Sequence, residues 1–268
     1  MDQLQVQTVS CRGGLDTSRD VLSQGQEQPG SATRLINYEP SLNGGYRRIS
    51  GFTNSYGLVP GTGKVLGVCV ANNVNDGILA CRTPSSGSNY IHKWNNSTES
   101  WDAITTSGSP TMSGVSRVRM IPYNFTDDKI LLVDGVNPAA YYDGTTYTQI
   151  THASAPSAPS IGVDFKNHIF LAGDSSEPYN LHFSAPFDEA DFAPASGAGV
   201  INVGFEIVQL KSFRDELYIF GTNQIKKLAG TSIADFVVAT VTSDLGCIAA
   251  DSVIEIAGDL LFLGPDGL

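Results

Sequence analysis

Positive charge is scarce in this chain: 16 Lys and Arg stand against 27 Asp and Glu in 268 residues, a formal net charge of -11. Affinity for a nucleic-acid backbone comes mainly from counterions displaced by Lys and Arg, so tight DNA binding is disfavoured. A repulsive surface does suit a conduit along which DNA slides without adhering. Cysteine is sparse too. Cys11, Cys69, Cys81 and Cys247 include no C-x-x-C pair and no dense framework, and they read as reduced core thiols. A Cys69–Cys81 disulfide stays open should their strands pair.

Long apolar runs are missing: no window approaches the ~18 apolar residues of a membrane helix. Met1 to Ser10 lacks the basic head and apolar stretch of a signal peptide. The expectation is a soluble protein made in the cytoplasm, in which the N-x-S/T triplets at Asn95, Asn96 and Asn124 are accidents of turn composition.

Chemical signatures are equally thin. His92, His152, His168 and His182 show neither H-x-H nor H-x-x-x-H spacing for a metal. There is no G-x-S-x-G elbow, no Cys near a His in sequence, and no D-x-D-x-D-G calcium loop. Gly61-Thr62-Gly63-Lys64 imitates a phosphate loop, but Leu58 stands where Gly is needed and Val65 where Ser or Thr must hold magnesium. Asp188-Glu189-Ala190-Asp191 spells a helicase motif between Pro186 and Pro194, and is expected to face solvent or a partner. No catalytic, cofactor-binding or metal-binding residue is assigned, no cofactor is expected, and the chain reads as a non-enzyme.

What is present points to strands. Hydrophobic residues are 41%, charged residues 16%, with 28 Gly and 13 Pro, a balance that favours short strands and many turns. Residues 1–60 read as an extended arm with strands at Leu4–Val9, Arg34–Tyr38 and Gly45–Phe52. Residues 61–268 repeat one phrase: a polar turn, then four or five mostly apolar residues. It occurs at Asp76–Cys81, Asp128–Val133, Asn167–Ala172, Asp215–Phe220 and Gly258–Leu263. A second element recurs in the earlier repeats, a hairpin with an aromatic on each arm. One runs from Tyr90–Trp94 to Trp101–Ile104 and the other from Ala140–Tyr142 to Tyr147–Ile150.

A spacing in the forties with β-branched and aromatic runs too short for helices is what four-stranded propeller blades produce. The apolar phrase is expected to be a buried inner strand. A β-sandwich is the competing architecture, but its strands alternate apolar and polar residues, whereas these runs are apolar on both faces. The expected fold is therefore all-β, with propeller-like repeats of four-stranded blades, an extended amino-terminal arm, and a last blade that stops after its inner strand.

The arm segment Ala32-Thr33-Arg34-Leu35-Ile36-Asn37-Tyr38-Glu39-Pro40 with Gly44-Gly45-Tyr46-Arg47-Arg48-Ile49-Ser50-Gly51 resembles the start of tailed-bacteriophage tail proteins. Leu181–Asp188 with Asp191-Phe192, Phe213–Gly221 with Ile225–Gly230, and Gly246 to Leu263 follow in the same order. The resemblance is to the propeller-bearing nozzle, or tail tubular protein B type, and to the DNA-stabilisation hub proteins of short-tailed phages, which are generally longer than this chain. It implies a virion structural protein that assembles as a ring, a homohexamer, below the tail adaptor. Fibre proteins would lie alongside and phage DNA would pass as transient, non-sticking cargo. The competing class is a carbohydrate-binding or glycan-cleaving propeller, with Trp94, Trp101, Tyr141 and Tyr142 as sugar-stacking aromatics. The S-x-D-x-G-x-T-W boxes of sialidases are missing.

Overall fold

The computed structural model describes residues 13–18, 30–51, 56–71, 74, 77–84, 90–108, 110 and 114–267. The chain forms two compact units, Met1–Ser55 and Tyr56–Leu268. In the smaller unit, strands β1 (Tyr38–Pro40) and β2 (Tyr46–Arg48) make a short antiparallel hairpin with Tyr38 opposite Arg48. Leu15 bridges to Ala32, and the Tyr46 hydroxyl lies 2.9 Å from the Gly14 carbonyl and 2.7 Å from that of Gly30. The strand expected at Arg34–Tyr38 begins only at Tyr38, because Asn37 turns the chain with φ 58°. The one expected over Gly45–Phe52 shrinks to Tyr46–Arg48. Cys11 and the strand expected at Leu4–Val9 lie outside the described residues.

The larger unit is a series of antiparallel sheets. The first holds β3 (Val65–Ala71), β4 (Gly77–Arg82), β5 (Ile91–Asn95) and β6 (Ser100–Ala103) in that order. The second holds β8 (Arg119–Asn124), β9 (Asp128–Val133), β10 (Ala140–Tyr142) and β11 (Thr146–Gln149); β7 (Thr105–Ser107) leaves the first sheet to pair in parallel with β11. The third runs β12 (Ile161–Phe165), β13 (His168–Ala172), β14 (Asn180–Phe183), β15 (Gly199–Asn202). The fourth runs β16 (Gln209–Phe213), β17 (Glu216–Phe220), β18 (Ile225–Ala229), β19 (Val237–Thr242). The described part of the fifth is β20 (Ile254–Ile256) with β21 (Asp259–Leu261).

Each recurring apolar phrase is the second strand of its sheet, and the period-2 geometry of a strand sends its alternate side chains to opposite faces. In β9, Ile130 and Leu132 enter a core shared with the first sheet, while Leu131 and Val133 enter one shared with the third. In β13, Ile169 and Leu171 face back to the second sheet, while Phe170 and Ala172 face forward to the fourth. In β17, Leu217 and Ile219 face back and Phe220 faces forward, where Leu260 of the fifth sheet and Phe262 just after it meet it. This double burial is why the phrase carries no polar alternation. Each fully buried Leu, Ile or Phe contributes about 1.5–3 kcal/mol.

The expected aromatic hairpins are third and fourth strands, with Trp94 opposite Trp101 and Tyr142 opposite Tyr147. The first strand of each sheet escaped the sequence reading. Three of them join the second strand through a two-residue turn with φ positive at both positions: Lys166–Asn167, Arg214–Asp215 and Ala257–Gly258. That is the turn whose twist matches a hairpin. Successive turns are also tied to each other. Lys166 Nζ lies 2.8 Å from Asp215 Oδ1, and Arg214 donates to the Gly258 carbonyl with Asp259 Oδ1 3.8 Å away.

Cys69, Cys81 and Cys247 are free, buried thiols. β3 and β4 do pair, but in a register that sets Cys69 opposite Leu79 and Cys81 opposite Gly67, so the two cysteines are diagonal neighbours. Burial first, then the Asp134 charge and Cys69, pushes the Cys81 thiol up.

Candidate functional surface at the first strands

The first strands β3, β8, β12 and β16 are sheet edges, and each adjoins the next. The Val118 N–H donates to the Leu66 carbonyl at 2.9 Å, just before β8 and within β3. Gly67 permits that approach, since a Cβ there would lie 2.3 Å from the Val118 carbonyl oxygen. Arg119 Nη1 donates to the Ser160 carbonyl at 2.7 Å, joining the second sheet to the third. Gln209 Nε2 donates to the Ala250 carbonyl at 2.9 Å, joining the fourth sheet to the turn that leads into the fifth.

One contact skips over the immediate neighbours. Asp251, ahead of β20, accepts from Arg117 and, at 3.3 Å, from Arg119 Nε of the second sheet. These ion pairs bring the segment ahead of the fifth sheet against the second sheet. Arg117 and Asp251 are about half exposed, so the clasp contributes geometry more than energy.

Two hollows open on this surface. A groove of about 530 Å³ follows β3 and the start of β8, with Val65, Val68, Arg117, Arg119 and Ile121 on its walls. A smaller hollow of about 240 Å³ has Arg119, Ser160, Asp174, Glu206 and Ala250 around it. Asp174 is buried and receives four hydrogen bonds: Ser157 Oγ and the Ala158 N–H at 2.9 Å each, the Ser176 N–H at 2.9 Å and Ser176 Oγ at 2.7 Å. Burial alone would raise its pKa; the donors, Ser176 foremost, outweigh it and hold the carboxyl at about 2.

A depressed folded-state pKa gives stability that is complete above the unfolded carboxyl value, roughly 4. It is lost as pH falls through about 2. Asp174→Ala is expected to cost about 2–4 kcal/mol at pH 7 by leaving these donors unmatched. In urea unfolding, the gap between the two proteins should narrow across that acid window.

The residues singled out in sequence do not converge. Asp188 and Asp191 accept backbone N–H groups of their own turn: Ala190 at 2.9 Å and Asp191 at 3.2 Å for Asp188, and Ala193 at 2.7 Å for Asp191. Glu189 departs from the expectation of a loop whose carboxylates face solvent or a partner. It is 5% exposed, with Oε1 2.5 Å from Lys129 Nζ of β9. Lys129 in turn stands 5.1 Å over the Tyr141 ring. Burial lowers the Lys129 pKa, and the Glu189 carboxylate more than reverses that to leave it raised.

His168 Nδ1 donates to the Ser184 carbonyl at 2.6 Å, and His182 Nε2 lies 2.7 Å from Glu177 Oε2. Among the described residues no group of three or more His, Cys, Asp and Glu could hold a metal. Gly63 lies in a turn whose carbonyl accepts from Arg82 Nε at 3.1 Å. Trp94 and Tyr142 are buried, and Trp94 is packed edge-on between Tyr56 and Trp101 with ring centroids 5.2 and 5.4 Å away, so these rings offer no open stacking face.

Arg117, Arg119 and Asp251, which bring distant sheets together, had no signal in the sequence, because a pairing across 132 residues or more leaves no local pattern. No helix among the described residues is long and apolar enough to cross a membrane. Compared with protein-family models and with curated proteins, the chain matches none.

Proposed function

We propose that this chain is a structural subunit of a short-tailed phage tail, a nozzle or hub protein whose sheets are the wedges of a β-propeller. The observation that carries the proposal is the succession of sheets, each sharing a core with the next, with the first strands of the first four side by side and Asp251 reaching back to Arg117 and Arg119. Wedges about an axis account for that contact, and the burial of both faces of the second strands favours them over two facing layers. A rigid body of this kind suits a wall. Copies arranged as a ring, a homohexamer beneath the adaptor, would present a net charge of -11 each and keep DNA mobile in the lumen. The titratable groups support the same reading, since Asp174, Glu189, His168 and His182 are occupied in holding turns and strands.

Electron microscopy of the purified chain at high concentration should show symmetric rings with a central opening. A monomer that stays single under those conditions would overturn the ring.

A further inference from the structure

The turns that join first to second strands use their leading residue in a repeated way. In the third sheet Lys166 opens the turn, with Nζ 5.8 Å over the Phe165 ring and 2.8 Å from Asp215. In the fourth, Arg214 opens it, with its guanidinium carbon 4.9 Å over the Phe213 ring and Asp259 3.8 Å away. Both places combine an aromatic ring, a cation over it and a carboxylate beside it. The turn of the second sheet opens instead on Phe125, whose ring centroid is 5.0 Å from that of Tyr123 and 6.4 Å from that of Phe187. Rings and carboxylates are there, and the cation is not.

The surrounding charges leave an acidic excess. Lys129 is held by Glu189, Lys166 by Asp215, and His152 stands 3.8 Å from Asp191. Asp128 accepts from the Asn124 amide at 2.7 Å. Asp127, two residues after Phe125, and Asp188, directly after Phe187, are exposed and make no ion pair among the described residues. Phe187 itself is an outlier: a bulky residue at φ 61°, 55% exposed, with its N–H donating to the Asn167 carbonyl at 2.8 Å. Left-handed backbone is costly for a residue with a Cβ and free for glycine. A single exposed ring is ordinary on a protein surface. One kept there against the preference of its own backbone returns little to folding and points to a role at the surface.

We infer that the Phe125–Phe187 pair, with Asp127 and Asp188, is a docking point for an arginine in an exposed loop of a partner protein. The guanidinium lies flat on the Phe187 ring and turns its fork of N–H groups to the flanking carboxylates, as Arg214 does within the chain on Phe213 beside Asp259. A ring subunit and a free-standing protein would present this surface alike, so the docking point is independent of the tail assignment.

The probe is the peptide Gly-Ser-Arg-Ser-Gly, titrated into the full chain and followed by backbone amide NMR shifts. Saturable shifts at residues 125–127 and 187–188 are expected at millimolar peptide. The same peptide with citrulline for arginine, which keeps the shape and loses the charge, should bind about tenfold more weakly. Phe187→Gly removes the ring and relieves the backbone, so it should leave Tm unchanged or raise it while weakening binding about tenfold. Asp127→Asn with Asp188→Asn keeps a side-chain acceptor for the 188–191 turn and should weaken binding by a similar factor at unchanged Tm. Should Phe187→Gly fail to fold, the asparagine variant decides alone. No saturation at millimolar peptide, shifts confined to other residues, equal binding of the citrulline peptide, or undiminished binding by the asparagine variant would each overturn the inference.

Discussion

Phe170→Ala is expected to lower the unfolding free energy of the larger unit by about 3–5 kcal/mol, the cost of emptying a large aromatic site that cannot collapse. For a unit of this size that is a fall in Tm of about 10 °C. Phe170 has no exposed surface, and four rings surround it: Phe183 at 5.5 Å, Phe236 at 5.8 Å, Phe165 at 5.9 Å and His168 at 6.2 Å between centroids. These come from the third and fourth sheets, so the vacancy opens at the junction of two sheets. Urea unfolding followed by tryptophan fluorescence measures it. A loss below 1 kcal/mol would mean that the two sheets are not held together there.

The second large effect concerns charge. Lys129→Met removes the partner of Glu189 and leaves a carboxylate 5% exposed beside the Tyr123 phenol, which burial and then that same carboxylate push up. Breaking a buried pair from one side costs about 3–5 kcal/mol, because the remaining charge keeps its desolvation penalty. Lys129→Met with Glu189→Met removes both charges and should recover most of the loss, since paired apolar replacements are often neutral. A double variant as unstable as the single one would show that Glu189 acts through its turn and not through Lys129.

The two residues lie 60 positions apart, and that distance explains what was and was not legible. The second strands could be found in sequence because both of their faces are buried, which leaves an apolar run such as Ile130-Leu131-Leu132-Val133. The hairpins at Trp94–Trp101 and Tyr142–Tyr147 were legible through paired aromatics and turn residues between them. The first strands were not, because one edge of each meets water and neighbouring backbone. β8 reads Arg-Met-Ile-Pro-Tyr-Asn, and its Pro122 is tolerated only because the strand is a sheet edge. β7 is three residues of Thr and Ser, recruited into a parallel pairing that no periodicity announces. A Pro-flanked acidic loop reads as facing solvent or a partner, and nothing local in sequence shows that Glu189 is buried; only Lys129 on β9 makes that burial tolerable.

The alternate burial of β9, β13 and β17 makes each of these strands a wall common to two rooms. Repacking one side of Leu131 or Phe170 shifts a backbone whose next residue is the lining of a different interior. Force applied to one sheet, or a void opened behind it, is therefore handed along the row, and the unit resists loading as a single block although it is assembled from separate hairpins.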